Sequence, residues 1–125
     1  MKVFLDTHAA VLLYGGEIDS FGARSRALME RSALFVSPFV RLELKLLHEI
    51  GRITRPADSI LAALEREMGL AVSRDPTEEV VGYALDLDWT RDPFDRLLVA
   101  TARLHKAPIV SRDQRMRENY PDAVW

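Results

Sequence analysis

The sequence predicts an α/β fold: a three-layer α/β/α sandwich with a central parallel sheet of four or five short strands. Three observations carry that prediction. Short apolar runs with β propensity recur along the 125-residue chain, at Val3-Phe4-Leu5, Leu34-Phe35-Val36 and Ile109-Val110. Longer stretches with helical apolar spacing separate them. The boundaries carry Pro, Gly or an acid of the kind that starts or stops a helix. Strands alternating with helices in this way form parallel sheets through crossover connections, here within one domain spanning residues 1–125.

In chain order, Val3-Phe4-Leu5 is a buried strand, and Ala9 to Tyr14 is expected as a helix stopped by Gly15-Gly16. Ser20 to Arg31 reads as a second helix, with Phe21, Ala27 and Leu28 on one side. Leu34 to Ser37 is a second strand, and Pro38 opens a helix running to about Ile50, before Gly51. Pro56 begins a fourth helix, Ala57 to Met68, closed by Gly69. Leu70 to Ser73 is a third strand, followed by a helix from Thr77 to Leu87 with Glu78 and Glu79 at its start. Asp92-Pro93 opens a helix to about Lys106. Pro108 to Ser111 is a fourth strand, Asp113 to Glu118 a short helix, and Ala123 to Trp125 a last strand.

Composition narrows the function classes. Hydrophobic residues make up 48% and charged residues 29% of the chain, the balance of a folded globular protein. No apolar run approaches the ~20 residues that span a bilayer, and the N-terminus lacks the pattern of a signal peptide. The absence of cysteine excludes disulfides and thiolate metal sites and fits a cytoplasmic location. Net charge is −2, yet 14 of the 17 basic residues are Arg. Were four acids gathered in one metal pocket, those 17 would face only 15 remaining acids. Arg suits phosphate recognition but equally serves surface pairing.

Four acids stand out by position. Asp6 ends the first strand; on that stretch alone an ordinary helix N-cap accounts for it. Asp113 follows Ile109-Val110-Ser111-Arg112 in the same way. Glu43 has Phe39, Val40, Leu46 and Leu47 as its helical neighbours, an apolar stripe where a charge is costly unless paired or coordinated. Arg41 lies on another face of that helix. Asp95 is in phase with Leu98, Val99 and Ala102, and Asp92 reads as the cap of its helix. In a parallel sheet these places converge on the crevice at the carboxyl ends of the strands. Carboxylates ~4 Å apart repel by about 4 kcal/mol per pair at an effective dielectric of 20, so the cluster must protonate or bind a cation. Oxygen donors without thiolates favour Mg²⁺, with Mn²⁺ possible, and the chemistry they suit is phosphoryl hydrolysis.

The stretches Leu5-Asp6-Thr7-His8, Ser37-Pro38-Phe39-Val40-Arg41-Leu42-Glu43, Arg91-Asp92-Pro93-Phe94-Asp95 with the helix to Ala102, and Val110-Ser111-Arg112-Asp113 occur in the order of a PIN domain. The chain most resembles ribonuclease toxins of the VapC type. The resemblance implies that Asp6, Glu43, Asp95 and Asp113 bind one or two divalent metals and activate water against an RNA phosphodiester. It implies Thr7 and Ser111 as supporting hydroxyls, with Asp92 beside Asp95. It further implies a cognate VapB-like antitoxin, a homodimer and a toxin–antitoxin hetero-oligomer. One departure is Val40, where the family often has Ser or Thr, so a hydrogen bond to the helix Glu is in question. The apolar surface at Leu12, Leu13, Tyr14, Leu46, Leu47 and Ile50 suits an antitoxin helix, a dimer contact or ordinary packing.

Other residues carry weaker signals. His8 lies near the site strand, while His48 and His105 read as surface or satisfied core. Arg91, Arg96, Arg112 and Arg115 flank the acids and read as surface ion-pair partners or phosphate contacts. Phe4, Phe35, Phe39 and Phe94 read as core. A housekeeping RNA-processing nuclease is the alternative within the fold. A receiver-like domain would need a strand-end Lys in the second half, which the sequence lacks, and a catalytically silent binding module would not need four acids.

Overall fold

The computed structural model describes residues 1–125. Five strands, β1 (Lys2–Leu5), β2 (Ala33–Val36), β3 (Ala71–Val72), β4 (Ile109–Val110) and β5 (Ala123–Val124), form one sheet in the order β3-β2-β1-β4-β5. All four pairings are parallel, with Val3 opposite Leu34 and Leu5 opposite Val110. Seven helices connect or follow them: α1 (Thr7–Tyr14), α2 (Ala23–Glu30), α3 (Pro38–Glu49), α4 (Ala57–Met68), α5 (Thr77–Ala84), α6 (Pro93–Leu104) and α7 (Gln114–Asn119).

The period of two along each strand divides the core. Val3, Leu5, Leu34, Val36 and Val110 pack with α1 to α4, around Leu13, Leu44, Ile60 and Leu64. Phe4, Ile109 and Ala123 point the other way, into α5 to α7, against Val80, Leu98, Val99 and Met116. Because β1 is covered on both faces, its three apolar residues are wholly buried, as its unbroken apolar run requires. No helix is long and apolar enough to cross a membrane.

Several boundaries differ from the sequence expectation, each for a local reason. The second helix does not begin at Ser20: a 3-10 turn occupies Ile18–Ser20, Phe21 is extended, and α2 starts after Gly22. Phe21 is drawn into the core, stacked on Trp125 at 4.8 Å. A Cβ on Gly22 would stand 2.6 Å from the backbone of Trp125, so only glycine permits this approach. The first helix begins at Thr7, because Asp6 caps it. The helix expected to reach Leu87 stops at Ala84, and Leu87 turns back into the core from the loop that follows. Of the apolar surface expected near α1, Leu13 is core, whereas Leu46 and Ile50 on α3, together with Leu42, are exposed.

Phe4 is the largest wholly buried side chain and anchors the α5–α7 layer. Phe4→Ala is expected to lower the free energy of unfolding by about 3–5 kcal/mol, measured as a shift in the urea midpoint without a change in slope.

Candidate active site

The sheet reverses direction of growth at β1: β2 and β3 lie to one side, β4 and β5 to the other. The crevice outside the carboxyl ends of the strands at such a reversal is the usual ligand site of open parallel sheets. Here it is a pocket of about 320 Å³ lined by five carboxylates, Asp6, Glu43, Asp92, Asp95 and Asp113. These arrive on four separate connections, so the fold and not local sequence brings them together.

Three of the five are helix N-caps. Asp6 accepts from the amide of Ala9 at 2.8 Å, Asp92 from Phe94 at 2.8 Å, and Asp113 from Met116 at 3.0 Å. Each cap uses Oδ1, so capping and facing the pocket are compatible roles for one side chain. Asp95 sits in the first turn of α6 and Glu43 in the second turn of α3.

Two hydroxyls and an amide set the orientation. The buried Thr7 hydroxyl donates to Glu43 Oε1. The partner that Val40 cannot supply from α3 is therefore supplied from α1; Val40 is buried beside it as an apolar wall of the pocket. Ser111, fully buried, accepts from the amide of Asp113 at 3.1 Å. It also lies by Asp6, where its hydroxyl favours the charged form.

The electrostatics are those of a site short of positive charge. Burial raises the carboxyl of Asp6 above its ordinary value, against the pull of Ser111, the Ala9 amide and His8. Asp95 is pushed up to about 7, first by burial and then by repulsion from Asp92, Asp113, Glu43 and Asp6. The charges that act on Asp95 are all negative. Arg112 and His8 are the only basic side chains lining the pocket. No three His, Cys, Asp or Glu side chains converge tightly enough to cage an ion by themselves. The all-oxygen donor set fits a hard divalent cation, with Asp6, Glu43, Asp95 and Asp113 placed to hold it directly or through water.

Two expectations need correction. Phe39 and Phe94 are not interior residues: both are half-buried and line the pocket. Phe39 also packs against the α5–α7 core, so it serves both the core and the pocket wall. Arg91, Arg96, Arg112 and Arg115 are not ion-pair partners. The ion pairs of the chain are Arg26–Asp19, Arg41–Asp58 and His105–Asp75. His48 and His105 lie outside the pocket.

The fold has counterparts. The family model for the PIN domain matches residues 3–120. Ribonuclease VapC22 of Mycobacterium tuberculosis is 31% identical over 128 residues, covering 98% of each chain. Among solved structures, VapBC2 from Rickettsia felis bound to a promoter DNA fragment superposes with a TM-score of 0.68 at 17% identity, covering 99% of this chain and 96% of that one. A toxin–antitoxin complex from Klebsiella pneumoniae gives 0.68 at 16% identity, covering 98% of this chain and 96% of that one. At such identities the structural likeness concerns the fold.

A carboxyl that titrates near 7 in the folded chain and near 3.8 when unfolded holds its proton more tightly in the fold. Stability of the metal-free protein should therefore fall as pH rises from about 4 to about 7, with the full penalty present above that range. Thermal melts across this window should show the decline, and Asp95→Asn should flatten it and raise the melting temperature at pH 8.

Proposed function

The chain belongs to the PIN-domain family, and from that premise we propose that it is a Mg²⁺-dependent endoribonuclease, the toxin of a type II toxin–antitoxin pair. The observation that carries this reading is the pocket itself. Five carboxylates from four connections line one pocket in which Arg112 and His8 are the only basic side chains, and burial, reinforced by the other carboxylates' repulsion, pushes Asp95 up to about 7. A fold tolerates such a cluster when a cation completes it.

When bound, the cation supplies positive charge to the scissile phosphate and acidifies a water for attack. The chain's own residues do the rest. Glu43, fixed by the Thr7 hydroxyl, presents its other oxygen to the pocket. Asp6 and Asp113, locked by their cap hydrogen bonds, cannot swing away as the phosphate's negative charge approaches. Asp95, whose proton a bound cation would displace, faces the pocket from the first turn of α6 as a carboxylate. Phe39 and Phe94 contribute apolar surface to the pocket lining.

The reading includes a VapB-like antitoxin, a homodimer and their hetero-oligomer in the cytoplasm. Its support is that the neighbouring solved structures include VapBC and toxin–antitoxin complexes, together with the exposed Leu42, Leu46 and Ile50 along α3. The same observations favour a toxin over a housekeeping nuclease. The end of β4 carries Ser111 and Arg112, not the Lys a receiver-like domain needs.

Purified protein should cleave RNA with Mg²⁺ or Mn²⁺ and stop when the metal is chelated. Asp6→Asn and Asp95→Asn, each folded by circular dichroism, should cut at least ~100-fold more slowly. Persistent cleavage by both variants would overturn the assignment. Thr7→Val should leave the fold intact and slow cleavage by about 10–100-fold, because Glu43 then loses its fixed orientation. Expression should arrest growth, relieved by the partner encoded with it; a strain unaffected by active enzyme would point to the housekeeping role.

A further inference from the structure

The loop joining α5 to α6 is held by three arginines bonded to three consecutive backbone carbonyls. Arg91 donates to the carbonyl of Asp88 at 3.0 Å, Arg115 to that of Trp89, and Arg96 to that of Thr90 at 2.8 Å. A fourth, Arg112, lines the acid pocket and lies over the ring of Trp125 at 5.7 Å. Each of the four is within three residues of Asp92, Asp95 or Asp113 in sequence. All four stand on the α6 and α7 side of the crevice.

What sets this group apart is its place: three of its guanidiniums are held on backbone carbonyls of the loop that carries Asp92, and the fourth lines the acid pocket. Arg41 on α3 grips Asp58 through two hydrogen bonds, so its charge is neutralised. None of the four near the pocket has a carboxylate within ion-pair distance, although Asp86 and Asp88 sit on the same loop. A carbonyl orients a guanidinium without cancelling its charge. A guanidinium has five N–H donors in a planar fork, so one bond to a carbonyl leaves several free for phosphate oxygens. Side chains already held in place lose less freedom when they bind.

We propose that Arg91, Arg96, Arg112 and Arg115 form a one-sided phosphate track that carries the RNA backbone past the acid pocket along the α6–α7 rim. The proposal rests on the ribonuclease reading and adds which surface the strand follows. The α1 and α3 side of the lining offers Phe39 and Val40 with His8 and no arginine, so the arginine contacts fall on one side only. The track solves a problem the pocket creates. Five carboxylates repel a polyanion, and cations beside the site must hold the neighbouring phosphates for the scissile one to enter.

The test measures binding apart from cleavage. In the Asp6→Asn background with Mg²⁺ present, a short fluorescein-labelled single-stranded RNA is titrated at several salt concentrations. Each phosphate contact contributes roughly −0.7 to the slope of log affinity against log salt for a single strand. Arg112→Gln and Arg115→Gln are each expected to reduce that slope by roughly 0.7 and the double change by about twice that. Arg24→Gln with Arg31→Gln, on α2 and just beyond it, should leave the slope unchanged. Arg112 braces no carbonyl of the loop, so its effect separates phosphate contact from loop support. An unchanged slope for Arg112→Gln, or an equal loss in the Arg24/Arg31 control, would overturn the track. If the parent chain cuts RNA while the slopes do not move, the track alone fails. If it neither cuts nor binds RNA, the ribonuclease reading fails with it.

Discussion

Mutual repulsion among carboxylates is the constraint around which this structure is arranged. Asp6, Glu43, Asp92, Asp95 and Asp113 come from four separate connections and share one crevice, and burial there raises the carboxyls of Asp6 and Asp95. The fold accepts this because four of the five carboxylates are held by something rigid. Three are pinned as helix caps and one by a neighbouring hydroxyl. The parallel sheet supplies that rigidity: β1, buried on both faces, sets the position of Asp6 and, through its pairing with β4, of Ser111 and Asp113.

Helix capping and metal binding are usually offered as competing explanations for an acid after a strand. In this pocket the two are compatible. A cap hydrogen bond consumes one oxygen, fixes the plane of the carboxylate and opposes protonation, while the other oxygen remains available. Function here adds little local strain: φ is positive at only one non-glycine residue, Lys106, which does not line the pocket.

Much of this was legible in the sequence. The strands at Val3, Leu34 and Ile109 were visible because buried parallel strands are unbroken apolar runs, and Asp6 and Asp113 stood out by ending such runs. Glu43 and Asp95 were legible by helical phase, as charges set on apolar stripes. What failed to show depended on distant neighbours. Nothing near Phe21 announces that it stacks on Trp125 and interrupts a helix. Phe39 and Phe94 have core-like sequence surroundings, and only the fold turns them to the mouth of the pocket. The partner of Glu43 was sought on its own helix and is Thr7, 36 residues earlier. The arginines looked like ion-pair residues because the carbonyls that hold them leave no trace in side-chain identity.

The central claim is that the pocket is completed by a divalent cation held by these carboxylates. The most direct measurement is Mn²⁺ binding to the metal-free protein, followed by electron paramagnetic resonance near pH 7.5. The account predicts saturable binding of one or two ions, competed by Mg²⁺ and sharply weakened in Asp6→Asn and Asp95→Asn variants that remain folded. Absence of saturable binding, or binding indifferent to both substitutions, would contradict it.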